Sequence, residues 1–334
     1  MVGKWFQRCA MAALVSVLAL MFAGAIVRVS GAGMGCPDWP KCWGCLIPPT
    51  KVEDVDFEKL DIAKFQRKAE RMGRDPNTIS VAILREEFNA RHVWTEFVNR
   101  LFSLPVGLFT LLTFVLSFGY RKSKPLLFFA SFTALALVLI NAWMGARVVY
   151  SGLSPGVLTT HMALAFLLLI VQVFVVWYGQ VVPWKREFTN ESSRRLLARL
   201  VNGLFLLVLV EGVMGSQVRE LTDELSKYLS VPRSEWGDTL EQSMVYLVHR
   251  SFSWVIFTLT VCAMWQMKKD QRYVIGLPEK IVVWIVMAQM ILGLVMSQIH
   301  VYGWVQVLHV GLAAILVACN FAWMLVLKGR AKLS

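Results

Sequence analysis

Residues 158–182 read LTTHMALAFLLLIVQVFVVWYGQVV, a run without Asp, Glu, Lys or Arg and with a single histidine at its start. A helix rises about 1.5 Å per residue, so about 20 apolar residues cross the hydrocarbon core of a bilayer. Working outward, seven further stretches have the same character, at roughly 10–28, 97–119, 125–148, 197–217, 244–266, 280–299 and 304–327. Of the 334 residues 57% are hydrophobic and 17% charged, and the apolar ones come in blocks, not in amphipathic stripes. A soluble chain carries about a quarter charged residues. The expected fold is an all-α integral membrane protein with eight transmembrane helices.

The net charge of +12 would suit nucleic acid if it were spread over one face, but it is not. Lys4 and Arg8 precede the first span; Arg121, Lys122 and Lys124 follow the second. Lys185, Arg186, Arg194, Arg195 and Arg199 lie between the fourth and fifth, and Lys268, Lys269, Arg272 and Lys280 between the sixth and seventh. Lys328, Arg330 and Lys332 follow the last. Basic residues on every second connection are the positive-inside pattern, which places both termini in the cytoplasm and excludes a nucleic-acid partner. The outward connections include two long ones, about 29–96 and 218–243. The first span resembles a signal peptide ending near Ala23-Gly24-Ala25, but it is long for one and has a counterpart later in the chain, so it reads as a retained helix.

That counterpart belongs to an internal repeat. Val98-Asn99-Arg100-Leu101-Phe102-Ser103 matches Val248-His249-Arg250-Ser251-Phe252-Ser253 at an offset of 150, and His161 matches His309 at 148. Gly24-Ala25-Ile26-Val27-Arg28 matches Gly215-Ser216-Gln217-Val218-Arg219 at 191, the longer offset reflecting the long first outer connection. Gly145 of the third span matches Gly293 of the seventh. The chain therefore reads as two tandem four-helix bundles, residues 1–190 and 191–334, related by a pseudo-two-fold axis along the membrane normal. The repeated glycines are read as close helix contacts.

Four of the five histidines, His161, His249, His300 and His309, stand at outer helix ends. Polar side chains inside a membrane are costly and mark function, and two histidines at one depth on neighbouring helices suit axial ligation of heme iron. His249 and His309 form such a pair. A heme also carries two propionates, which guanidinium groups match. Arg100 and Arg250, each next to a ligand position, are read in that role; for Arg28 and Arg219 it stands beside plain snorkelling to lipid phosphates. Glu96 lies a turn before Asn99 and suits proton handling beside a cofactor pocket; Tyr246 replaces it in the second half. Glu211, inside the fifth span, is a second candidate acid. Cys36 and Cys42 flank Pro-Asp-Trp-Pro-Lys in an outward, disulfide-permissive connection; a disulfide is favoured over an incomplete zinc site, and Cys45 is left over.

Together these residues resemble the heme A synthase family of cytochrome oxidase assembly proteins. The resemblance runs through residues 24–42, Glu96-Phe97-Val98-Asn99-Arg100, His161, His249-Arg250 and His309, and covers the chain apart from the body of the first outer connection. It implies a bacterial inner-membrane enzyme that oxidises the C8 methyl of heme O to a formyl group by successive hydroxylations. It further implies a heme b cofactor on His249 and His309 with Arg250 and Arg219, and substrate heme in the first half near His161, Asn99, Arg100 and Arg28. Glu96 matches the catalytic glutamate, and Cys36 and Cys42 the paired cysteines. Partners to match are a heme O synthase and a membrane electron donor, and a homo-oligomer is compatible. Two departures stand out: Asn99 replaces the family's usual histidine, and the later long outer connection has no cysteine pair. Asn99 opens two alternatives, substrate iron held by His161 alone or a first half without chemistry. The corresponding rival functions are a non-catalytic heme-binding assembly factor and a b-type electron-transfer protein. Transport is disfavoured because no span is clearly broken by proline at its midplane; Pro125 and Pro183 sit at span ends.

Overall fold

The computed structural model describes residues 2–71, 75–180, 185–227 and 232–328; Pro183, Arg330 and Lys332 lie outside them. Among the described residues the chain is helical with no strand. Eight long helices carry the apolar blocks: α1 (Val2–Val29), α4 (Ala90–Ser117), α5 (Pro125–Tyr150), α6 (Pro155–Tyr178), α7 (Glu191–Lys227), α9 (Met244–Lys269), α10 (Leu277–Gln298) and α11 (Gly303–Val326). Three short helices lie in the connections: α2 (Ile62–Arg71), α3 (Val81–Glu87) and α8 (Trp236–Glu241). Several long helices outrun their apolar blocks. α1 begins at Val2, α4 at Ala90, and α7 runs to Lys227. Hydropathy marks only what the bilayer can hold, whereas the backbone ladder continues into polar sequence. Pro105 lies inside α4, a proline the sequence reading passed over, and the helix runs through it. Pro125 takes the first turn of α5, where its missing N–H costs nothing.

The packing forms two rings. α1 touches α4, α4 touches α5, α5 touches α6 and α6 touches α1; likewise α7 touches α9, α9 touches α10, α10 touches α11 and α11 touches α7. A seam of α1 on α11, α6 on α11 and α6 on α7 joins them. At that seam a Cβ on Gly311 of α11 would fall 2.1 Å from the Phe22 ring of α1, so only glycine admits this crossing. Leu169, Leu204 and Trp323 lie in the buried interior, while Leu104, Trp143 and Trp284 point outward. Apolar residues on the outside are what a lipid solvent asks for.

At the end away from the histidines, a buried polar cluster locks the connections. Arg186 Nε and Nη2 donate to the two oxygens of the fully buried Glu279 at 2.7 and 3.0 Å. Tyr273 Oη donates to Glu279 Oε1 and accepts from Trp323 Nε1. At the histidine end, the described residues from Cys36 to Val93 form a small apolar layer of their own, with Trp43, Phe57, Leu84 and Val93 at its centre, over the first turns of α4.

Candidate heme-binding sites

In the second half, α9 brings His249 and α11 brings His309 face to face, with ring centroids 6.3 Å apart and planes at 79°. An iron bonded to one nitrogen of each imidazole at roughly 2 Å would set the centroids roughly 6 to 6.5 Å apart. Nδ1 of His309, like that of His161, is buried without a hydrogen-bond partner. Buried polar atoms of this kind are rare unless a ligand completes them. The residues present therefore fit a bis-histidine heme. His249 Nδ1 lies 3.2 Å from Glu211 Oε1 on α7, in contact but not aligned as a hydrogen bond. Gly215, a turn further along α7, passes within 3.3 Å of His249 Cε1, measured from where a Cβ would stand. Gln289 of α10 donates to the His309 carbonyl at 2.8 Å.

The histidine end of the first half carries different residues. His161 of α6 lies against Gly145 of α5, and Asn99 of α4 lies against Gly24 of α1. The Asn99 Oδ1 is buried and unpartnered. Asn141 of α5 donates to the Leu137 and Leu164 carbonyls.

Above this half, Glu96 and Arg100 hold the outer layer. Cys36 N–H donates to Glu96 Oε2 at 2.7 Å, and Arg100 Nη2 donates to Glu96 Oε1 at 2.7 Å and to the Cys36 carbonyl at 3.0 Å. Arg100 Nη1 donates to the carbonyls of Asp38 and Lys41. A disulfide joins Cys36 and Cys42, and no metal-ligating cluster is found among the described residues. The Asp38 carboxylate accepts from the Trp43 and Gly44 amides, where both residues have positive φ. Cys45 closes this turn by a two-way backbone pairing with Cys42. Gly35 is obligatory, since a Cβ there would meet the His92 carbonyl of α4 at 2.3 Å.

The sequence model of the cytochrome oxidase assembly protein family matches residues 7–321. This chain belongs to that family. Among its relatives are the heme A synthase of Wolbachia pipientis wMel, 24% identical with 90% of this chain and 85% of that protein covered. The heme A synthase of the Wolbachia of Brugia malayi is also 24% identical, over 98% and 97% of the two chains. That of Nitrosomonas eutropha is 26% identical over 59% and 54%.

Set beside the family pattern, the candidate residues fall into groups. His249 and His309 come together, as do Glu96, Arg100 and the disulfide. Arg28 and Arg219 converge on Asp223, Arg219 at 2.7 Å and Arg28 through its Nη2. Arg219 also donates to the Arg28 carbonyl and Arg233 to the Val29 carbonyl. The Nε atoms of Arg28 and Arg219 remain buried and unpartnered. Arg250 stands apart, paired with exposed Glu241. His300 packs on Tyr302, away from the pair. The sequence reading missed Asp223, Arg233, Asn141 and Gln289. The last two were findable, because they stand four residues before Gly145 and Gly293 and so share the offset of 148. Asp223 had no such signal, since only the folded seam brings it to Arg28.

Proposed function

We propose that this protein is a heme A synthase, oxidising the C8 methyl of heme O to a formyl group in a bacterial inner membrane, with both termini cytoplasmic. The observation that carries the reading is the pair of facing imidazoles, His249 and His309, in one half; in the other, Asn99 and His161 each keep a buried, unpartnered polar atom. The two rings of helices are read as a tandem repeat whose second half (191–334) keeps a resident heme b and whose first half (1–190) receives substrate.

A heme b, when bound, supplies a one-electron redox centre. His249 and His309 would hold it, and Arg219 keeps an unpartnered Nε–H for a propionate. Arg250 gives its Nη1 to Glu241 and would meet a propionate through another nitrogen of the guanidinium. On the substrate side His161 would bind the iron, Asn99 offers an amide that ligates iron poorly, and Arg28 would meet a propionate. Glu96 is the carboxyl at this site. Its hydrogen bonds from Cys36 and Arg100 fix it under the disulfide layer, so Arg100 acts on the substrate through Glu96 and the loop.

The test is co-expression with a heme O synthase in a host that makes no heme A, followed by chromatography of extracted hemes. Heme A or its hydroxylated precursor is the expected product. A well-expressed protein carrying heme b beside unchanged heme O would favour the second reading, a heme-binding assembly factor, which Asn99 specifically motivates.

A further inference from the structure

We infer that Glu211 is a positioning residue for the heme held by His249, accepting the His249 Nδ1–H and thereby lowering the reduction potential of that heme. The inference rests on His249 being an axial ligand.

Glu211 sits inside the apolar length of α7, half-buried, where a carboxylate is costly and is kept for a reason. Its Oε1 lies 3.2 Å from His249 Nδ1, and its Oε2 is buried with no partner at all. Iron takes one ring nitrogen, so the other must find an acceptor, and a carboxylate there fixes the tautomer and raises ligand basicity. A more basic ligand stabilises the ferric state, and added negative charge acts in the same direction. Gly215, a turn along the same helix, lets α7 approach the ring closely enough for this contact.

The repeat supplies an internal comparison. The position matching Glu211 in α1 is Leu20, and the position matching His249 is Asn99. The carboxylate is present where the imidazole is present and absent where it is absent. A carboxylate retained merely for solubility or helix packing would have no reason to follow the histidine. None of the other acids of α7 substitutes for it: Asp223 is engaged by arginines, Glu220 accepts from the Thr159 hydroxyl, Glu191 pairs with Arg194 at the opposite end of the helix and Glu224 is exposed.

The experiment is a redox titration of the purified, heme-loaded protein in detergent, following its visible absorption bands. Wild type is compared with Glu211→Gln, which is isosteric, and Glu211→Leu, which copies the first half. The expected result is retained heme in the glutamine variant with its midpoint potential shifted upward. The leucine variant should shift further or lose heme. Heme content and midpoint equal to wild type in the glutamine and leucine variants would overturn the inference. A His249→Ala variant separates the two levels. Loss of its six-coordinate spectrum supports the ligand assignment, whereas an unchanged spectrum overturns that assignment and this inference with it.

Discussion

At the scale of single residues, Arg100 does the most with one side chain. Four of its guanidinium N–H groups are used, on Glu96 and on three carbonyls of the disulfide layer. Lysine keeps the charge but not the planar fork. Arg100→Lys is therefore expected to loosen residues 36–42 and to lower heme A formation by about tenfold or more, the scale of a misplaced catalytic group. On the proposed function, heme b on His249 and His309 should be retained. Limited proteolysis of the outer layer and heme chromatography on the same preparation check both halves of that statement; an intact layer with unchanged turnover would refute it. The sequence placed Arg100 beside a ligand position and suggested a propionate. What it could not convey is that α4 extends a turn or two past the apolar block, which brings the outer layer within reach of Arg100 and gives the guanidinium four protein acceptors.

At the scale of elements, the segments between helices carry the polar locks. Glu279, at the start of α10, holds Arg186 from the α6–α7 connection and Tyr273 from the α9–α10 connection. Removing one partner from a buried pair leaves an uncompensated charge, so Glu279→Ala is expected to cost about 3–5 kcal/mol in thermal unfolding. Tyr273→Phe removes one hydrogen bond and should cost about 1 kcal/mol. Equal losses for the two would show that the ion pair contributes nothing beyond the tyrosine. Asp270 adds a pH dependence. Burial pushes its carboxyl up, but hydrogen bonds from Ser193 and Thr189 outweigh it and hold the group below the usual carboxylate range. A depressed native value stabilises above the unfolded pKa, about 3.9, and that gain is lost as pH falls through the native one. The midpoint of unfolding should drop over this acid range in wild type and drop less in Asp270→Asn. The eight spans were legible because lipid demands continuous apolar runs. These locks were not, because Arg186 and Glu279 are far apart in sequence and no periodicity links them.

At the scale of the whole molecule, the question is what keeps two rings of helices in one register. At the histidine-end seam Arg28 of α1 and Arg219 of α7 meet on Asp223, and Arg233, from the segment after α7, holds the Val29 carbonyl. Thr159 of α6 adds a hydrogen bond to Glu220 of α7. The sequence repeat announced Arg28 and Arg219 as equivalent residues, and equivalence hid the fact that they meet. Two like charges held this close are stabilised by an anion between them, and nothing in the sequence match of Arg28 to Arg219 points to Asp223. Asp223→Ala would leave the arginines facing one another in a half-buried place where solvent screens them poorly. The expected loss is about 3–5 kcal/mol, concentrated where Arg28 of α1 meets Asp223 of α7. It should appear as earlier thermal loss of the heme in detergent and as proteolysis between the halves. Asp223→Glu should restore part of the stability, because the carboxylate returns with a longer reach. If the alanine variant unfolds like wild type, the seam is held without the Asp223 ion pairs, by the Gly311–Phe22 crossing, the apolar surface of α11 and the hydrogen bonds to Glu220 and to the Arg28 and Val29 carbonyls. The arginines would then be available as a pair to a ligand anion, and heme affinity, not stability, would be the quantity that the substitution changes.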